Sequence, residues 1–360
     1  MTKEIQILVE KFEHFRESRQ PVIESFNRGE RPFLVVASPI SYDAFFKCNS
    51  VEESFESNIR DFSINIEQPS DSLPFLEPWF GVGAYAEAFG AEYVWSPDTA
   101  PQSHPRWKSY DEHILLSEVD PYNARILKMI LKGIRVLKER TGERLPIAVT
   151  DTQSAHDTAT LLIDTCSVLE ACYTNPDHLK STLERINRLI IDFTRIQMEE
   201  IGPELLVRPG HIMSNSLAGG PWISVSDDNL IMNSADVNRE FLLPYTDEIG
   251  RQFGGVAVHS CGNWAHTMPV LREFEHIRMI DCALEGESDP SPNKPEKVRD
   301  ALTGTGIIVQ ARVGEDMEQA DEVIRRLFSP GLRLILKIPT PDRPRERYDH
   351  YVRLLESLYS

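Results

Sequence analysis

Short runs of consecutive apolar residues alternate along this chain with longer stretches whose apolar positions recur every three or four residues. The first pattern suits strands buried on both faces, the second amphipathic helices. Ile5, Leu8, Phe12 and Phe15 set a helical stripe near the start, and Phe33-Leu34-Val35-Val36-Ala37 follows as a first strand. A helix over residues 51–66 leads to Leu73-Pro74-Phe75-Leu76, a second strand. Gly81 to Glu118 then forms a long insert with Trp95, His104 and Trp107 among Pro and Ser, a length expected of a lid or binding loop. Beyond it the pattern predicts a helix over 121–140, a strand over Leu145 to Val149 and helices over 156–172 and 176–201. Ile212-Met213 is the fourth predicted strand. A helix capped at Ser234 runs to Phe253, with Pro244 expected to kink it. Four clearer strands close the series: Val256 to Val258, Met279-Ile280, Ile307 to Val309 and Leu332 to Ile335. Eight strands joined by helical crossovers predict an α/β fold, a (β/α)₈ TIM barrel with an N-terminal helix and a long insert after the second strand. With no interdomain linker visible, residues 1–360 are expected to form a single domain.

Composition narrows the partners. A net charge of −18 repels phosphate backbones and anionic lipid, so neither nucleic acid nor a membrane surface is expected to bind. The charged N-terminus lacks the apolar core of a signal peptide, and no uncharged apolar run reaches the length of a membrane span. Five widely spaced cysteines do not resemble a disulfide framework and suit a reducing cytoplasm. Cys166 and Cys172 sit at helical spacing and are expected in the core.

In a barrel of this kind the chemistry gathers at the C-terminal strand ends. Here these carry Ser38, Glu77, Asp151 with Gln153, Ser214 with Asn215, His259 with Cys261, Asp281 with Cys282, Arg312 and Lys337. His259-Ser260-Cys261 is the most informative, because residues i and i+2 of a strand project to one side and can share a metal ion. Zinc accepts both ligand types and in catalytic sites keeps a fourth position open. A packed thiol beside a hydrogen-bonded imidazole is the competing reading. Cys282 is the candidate third ligand, or else a buried thiol facing the helices. Asp151 and Gln153 follow a buried strand as candidate catalytic residues, or Asp151 caps the next helix. Glu77 and Trp79 suit a pocket wall, and Trp222 and Trp264, placed on loops near strand ends, suggest with them a flat or apolar ligand. Packing of these aromatics onto the barrel rim is the alternative. Asn215, Asn263 and Arg312 complete the candidate substrate-binding set, with Lys337 as a further catalytic candidate.

Phe241-Leu242-Leu243-Pro244-Tyr245, the run Gly254 to Asn263, Glu77-Pro78-Trp79-Phe80-Gly81, Asp151-Thr152-Gln153-Ser154 and Pro339-Thr340-Pro341 resemble the uroporphyrinogen decarboxylase-like superfamily. The resemblance implies a (β/α)₈ barrel and two chemistries. The decarboxylase proper uses an Arg-rich N-terminal segment for its many-carboxylate substrate, and Ser38-Pro39-Ile40-Ser41-Tyr42-Asp43 here has no arginine. The cobalamin- and coenzyme M-dependent methyltransferases hold zinc on a His-x-Cys pair plus a Cys near the last strand. His259 and Cys261 match the pair, whereas Leu336-Lys337-Ile338 stands where that last Cys would be. The third ligand is then Cys282, Asp281 or Glu77, or the site is metal-free with the Lys337 ammonium replacing the metal's charge.

The resemblance points to a methyltransferase-like enzyme, with zinc and a corrinoid carried by a separate protein. A cofactor-free decarboxylase of a small acid is the alternative, in which Arg312 or Lys337 binds the carboxylate and Asp151 handles protons. A non-catalytic ligand-binding barrel is a third reading, and a homodimer is an assembly left open.

Overall fold

The computed structural model describes residues 2–38, 45–96, 99–111, 113–211, 213, 216–217, 222–340 and 342–360. Six strands pair in parallel: β1 (Phe33–Ala37), β2 (Ile223–Ser226), β3 (Val256–His259), β4 (Ile277–Ala283), β5 (Ile308–Arg312) and β6 (Leu334–Ile338). Their spatial order is β1-β6-β5-β4-β3-β2. Single bridges extend this sheet beyond its β2 edge, linking Ser226 to Gln153, Leu206 to Ile147 and Ile147 to Leu76. On the other edge, the Asp71 N–H donates to the Val35 carbonyl of β1 at 2.9 Å. The expected α/β barrel is therefore the observed one, with regular pairing over six strands and looser pairing where Leu76 and Ile147 pass.

The strands alternate as a barrel demands. Val35, Val225, Val258, Ile280, Val309 and Leu336 belong to the large apolar layer under the helices. Leu34, Val36, Ala257, Met279, Ile308 and Ile335 fill the barrel interior with Phe26 and Met213. Period-two alternation then sends His259, Asp281, Gln310, Arg312 and Lys337 inward. Register places Ser226 beside His259, His259 beside Asp281 and Asp281 beside Gln310, while Arg312 neighbours Lys337. A polar belt thus caps an apolar interior.

Several expectations need correction. The opening helix runs from Lys3 to Asn27, past Pro21. The insert is not structureless: it contains a helix, Ala84–Ala88, and the antiparallel pair Glu92–Val94 with Gln102–His104. The helix expected over 156–172 is two helices, Ala155–Leu162 and Thr165–Thr174, separated where Asp164 caps the second. The expected fourth strand is replaced by Val207–Arg208, paired antiparallel with Ser216–Leu217, followed by β2; Met213 is not in a strand and Ile212 lies outside the described residues. Ser234 does cap its helix. Pro244 lies in the first turn of Leu243–Phe253, after a π-helical stretch at Asn238–Leu242 that absorbs the missing N–H. Cys166 is exposed, whereas Cys172 is buried as expected; all five cysteines are free. No helix among the described residues is long and apolar enough to cross a membrane.

Candidate active site

His259 ends β3 and points into the barrel with little exposure. Its Nδ1 lies 2.8 Å from Asp281 Oδ2 on the neighbouring strand, which fixes the ring and leaves Nε2 free to face outward along the barrel axis. Nε2 lies 3.4 Å from Cys261 Sγ and 3.7 Å from Asp228 Oδ1. The ligand atoms of Asp228, His259 and Cys261 all fall within 4.8 Å of one another. A nitrogen, a thiol and a carboxylate at this separation, with a carboxylate behind the imidazole, form a donor set that could hold a metal ion. The residues fit the metal.

The loop that presents Cys261 is fixed from outside. The Cys261 N–H donates to Asp228 Oδ1 at 2.7 Å and the Gly262 N–H to Asp289 Oδ2 at 2.7 Å. Asn293 donates to the Gly262 carbonyl at 2.9 Å and accepts from the Trp264 N–H at 3.0 Å. Gly262 has a positive φ of 66°, which lets the chain turn directly after the thiol. Asp228 is in turn held by Asp157, whose carboxylate accepts from the Asp228 and Asn229 N–H groups at 2.6 and 3.0 Å. Burial beside Asp228 pushes the Cys261 thiol up to about 12, so without a cation it is not a free thiolate nucleophile.

Asp281 is the pivot of the belt. Its Oδ2 faces both His259 and Arg312 Nε, the latter at 3.0 Å, and its Oδ1 accepts from Gln310 Nε2 at 2.6 Å. Burial alone would raise its pKa, but Arg312, His259 and Lys337 hold it well below the ordinary carboxylate range. Lys337 is buried, and that burial lowers its pKa to about 8 despite the pull of Asp281.

A second cluster adjoins the first through Ser226, the register neighbour of His259. Asn58 brackets Glu77, accepting from its N–H at 2.7 Å and donating to its carbonyl at 3.0 Å. Glu77 Oε1 accepts from the Asp151 N–H at 2.7 Å and lies 3.0 Å from His211 Nδ1. His211 Nε2 is 3.7 Å from Asp151 Oδ1, while Gln153 and Ser226 donate to the two Asp151 oxygens at 2.8 and 3.0 Å. Burial works against a charged His211, yet Asp151 and Glu77 raise it to about 9, with Lys337 opposing them. Ser154, not Asp151, caps the helix that follows, which leaves the Asp151 carboxylate for this network. A cavity of about 550 Å³ opens beside the cluster. Ser38, Phe45, Glu77, Trp79, His211, Gln310, Arg312 and Lys337 line it; Trp79 packs edge-on against Phe45 at 4.8 Å.

The structure thus brings together Glu77, Trp79, Asp151, Gln153, His259, Cys261, Arg312 and Lys337. Four other expectations are corrected. Cys282 is fully buried in the apolar layer under the helices, because its neighbour Asp281 takes the inward position and adjacent strand residues cannot share a face. Trp222 precedes the first residue of β2, at the opposite end of the barrel, where its indole occupies the space a side chain at Gly255 would need. Trp264 is fully buried core, not a pocket wall. Asn263 is exposed and accepts from the Ala265 N–H at 3.4 Å, while Asn293 does the loop-holding. Asn215, Ser214, Pro341 and the segment Pro39 to Asp43 lie outside the described residues. Sequence reading missed His211 and Asp228. Asp228 was detectable as a carboxylate just after the alternating run Ile223-Ser224-Val225-Ser226; His211, after Pro209-Gly210, gave no signal but a turn.

The comparisons bear on this geometry. Residues 79–207 match the family model of uroporphyrinogen decarboxylase (URO-D), a segment that includes Trp79, Asp151 and Gln153. A methyltransferase from Methanosarcina mazei superposes with a TM-score of 0.65 over 94% of this chain and 98% of its own, at 13% identity. Over that segment, about a third of its length, the chain is similar to uroporphyrinogen decarboxylase. The two likenesses are complementary, one in sequence over residues 79–207 and the other in fold over nearly the whole chain. No curated protein matches the sequence. The Asp228–His259–Cys261 triad lies outside the matched segment and rests on its own geometry.

Proposed function

We propose that this protein is a methyltransferase-like enzyme that binds zinc on Asp228, His259 and Cys261 and exchanges a methyl group with a corrinoid carried by a partner protein. The observation that carries this reading is the convergence of the three donor atoms within 4.8 Å, with Asp281 bracing His259 from behind. The methyltransferase of the same fold supports the chemistry chosen. Bound there, zinc would supply a Lewis acid with an open position at which a thiol loses its proton. The chain's own residues do the rest. Asp281 keeps His259 in the tautomer whose Nε2 is unprotonated. Asp289 and Asn293 hold the Cys261 loop, and Trp79 and Phe45 provide an apolar wall that limits water in the cavity. His211 holds its proton between Glu77 and Asp151. A reducing cytoplasm remains the proposed setting, consistent with five free cysteines.

Metal analysis of protein purified without added zinc tests this reading. About one equivalent is expected in the unmutated chain and less than about a tenth in His259→Ala or Cys261→Ala. Titration with a methylated corrinoid and a thiol is expected to change its visible spectrum; no change with any thiol would remove the corrinoid. One observation favours a second reading, decarboxylation of a small acid. Arg312, Lys337 and His211 line one cavity, where cations would hold a carboxylate while Asp151 handled protons. Carbon dioxide release that persists in Cys261→Ala would establish it.

A further inference from the structure

Arg312 belongs to both halves of the site. Its side chain lines the cavity, and its Nε lies 3.0 Å from the Asp281 oxygen that also braces His259. One carboxylate oxygen is therefore shared between the candidate metal ligand and the cavity wall. The guanidinium is nevertheless incompletely satisfied. Its Nε and Nη2 are buried, and neither has a well-directed hydrogen-bond acceptor among the described residues. Buried donors in that condition call for a partner. The surroundings say which kind. Buried Lys337 neighbours Arg312 in register, and Gln310 and His211 complete the polar floor. Four acids also line the cavity: Glu77 is held by His211, Asp61 is buried, and Glu287 and Glu315 are exposed at the rim, where solvent screens them. Phe45 and Trp79 supply an apolar wall.

We propose that the cavity takes a small organic carboxylate on Arg312, and that this binding is coupled to metal binding at Asp228, His259 and Cys261 through Asp281 Oδ2. The coupling rests on the metal reading given above. With the cavity empty, Arg312 draws on the same oxygen that braces His259 and sets a positive charge behind the metal position. A bound carboxylate neutralises that charge and leaves Asp281 to His259, so metal and carboxylate each favour the other. Reciprocity is obligatory, because the two affinities share one coupling free energy. A substrate bearing a carboxylate would thereby strengthen the metal site only when present.

The test uses the full chain, zinc and benzoate. The zinc dissociation constant, read by competition with a chromogenic chelator, is expected to fall about tenfold at saturating benzoate. Calorimetry should show zinc tightening benzoate by the same factor. Arg312→Gln should abolish the linkage, with zinc bound as tightly as in the benzoate-loaded parent. Arg312→Lys, which keeps the charge but not the fork, should retain only part of it and covers the case in which the first variant does not fold. Zinc binding that ignores bound benzoate would overturn the coupling and leave the metal reading standing. Failure of benzoate to bind, or a linkage undiminished in Arg312→Gln, would also overturn it. Failure of zinc to bind at all would remove both readings together.

Discussion

His259 and His211 lie at one barrel mouth, each with a carboxylate at hydrogen-bond distance, yet the two are prepared for different work. Asp281, which braces His259, is already balanced by Arg312 and Gln310, and the other face of His259 meets a thiol and a carboxylate. His211 sits between two carboxylates whose charge is less fully met, and it keeps a proton to about pH 9. A protonated imidazole cannot ligate a metal. The contrast shows that a carboxylate beside a histidine does not by itself decide the histidine's role; what neutralises that carboxylate does.

The comparison is broken most directly by removing a ligand. Asp228→Asn is expected to weaken zinc binding by more than about 100-fold, beyond the usual loss for outer-shell changes, while Cys282→Ala leaves it within about twofold. Chelator competition on both variants checks this, and equal losses would reinstate Cys282. Asp281→Asn comes next. It removes the brace of His259 and the counter-ion of half-buried Arg312 at once. Zinc affinity should drop by about 10- to 100-fold. Urea unfolding should show a stability loss of roughly 3–5 kcal/mol.

The other histidine predicts a pH effect. Its folded pKa of about 9 exceeds the ordinary 6.5, so its stabilisation is complete below about pH 6.5 and is lost as pH rises through 9. His211→Gln should therefore cost more stability at pH 6 than at pH 10, by up to about 3 kcal/mol. Lys337 runs the other way, since its buried charge is relieved as pH rises from about 8 towards 10.5, and because it is present in both proteins most of its own titration cancels in their difference. Thermal unfolding of both proteins across that range checks the sign.

Much of this was legible in the sequence. Strand-length apolar runs gave the barrel because strands buried on both faces leave no other pattern, and the strand-end polar residues followed from it. His259, Cys261, Glu77, Asp151, Arg312 and Lys337 were read as strand-end candidates in that way. The losses have physical causes. Aromatic loop residues read the same whether they line a pocket or pack: Trp264 is core and Trp222 seals the far end. Cys282 needed the facing of Asp281, which a one-residue shift of register reverses. His211 adopts a positive φ of 46° after a Pro-Gly turn, and only the folded chain brings it to Glu77, far away in sequence.

The central claim is that one sulfur and one carboxylate join His259 in the metal site. X-ray absorption at the zinc edge of the zinc-loaded protein measures this directly. The account predicts a single sulfur at about 2.3 Å with the remaining ligands nitrogen and oxygen. Two sulfurs would displace Asp228 in favour of a second thiol, and none would remove Cys261 from the site.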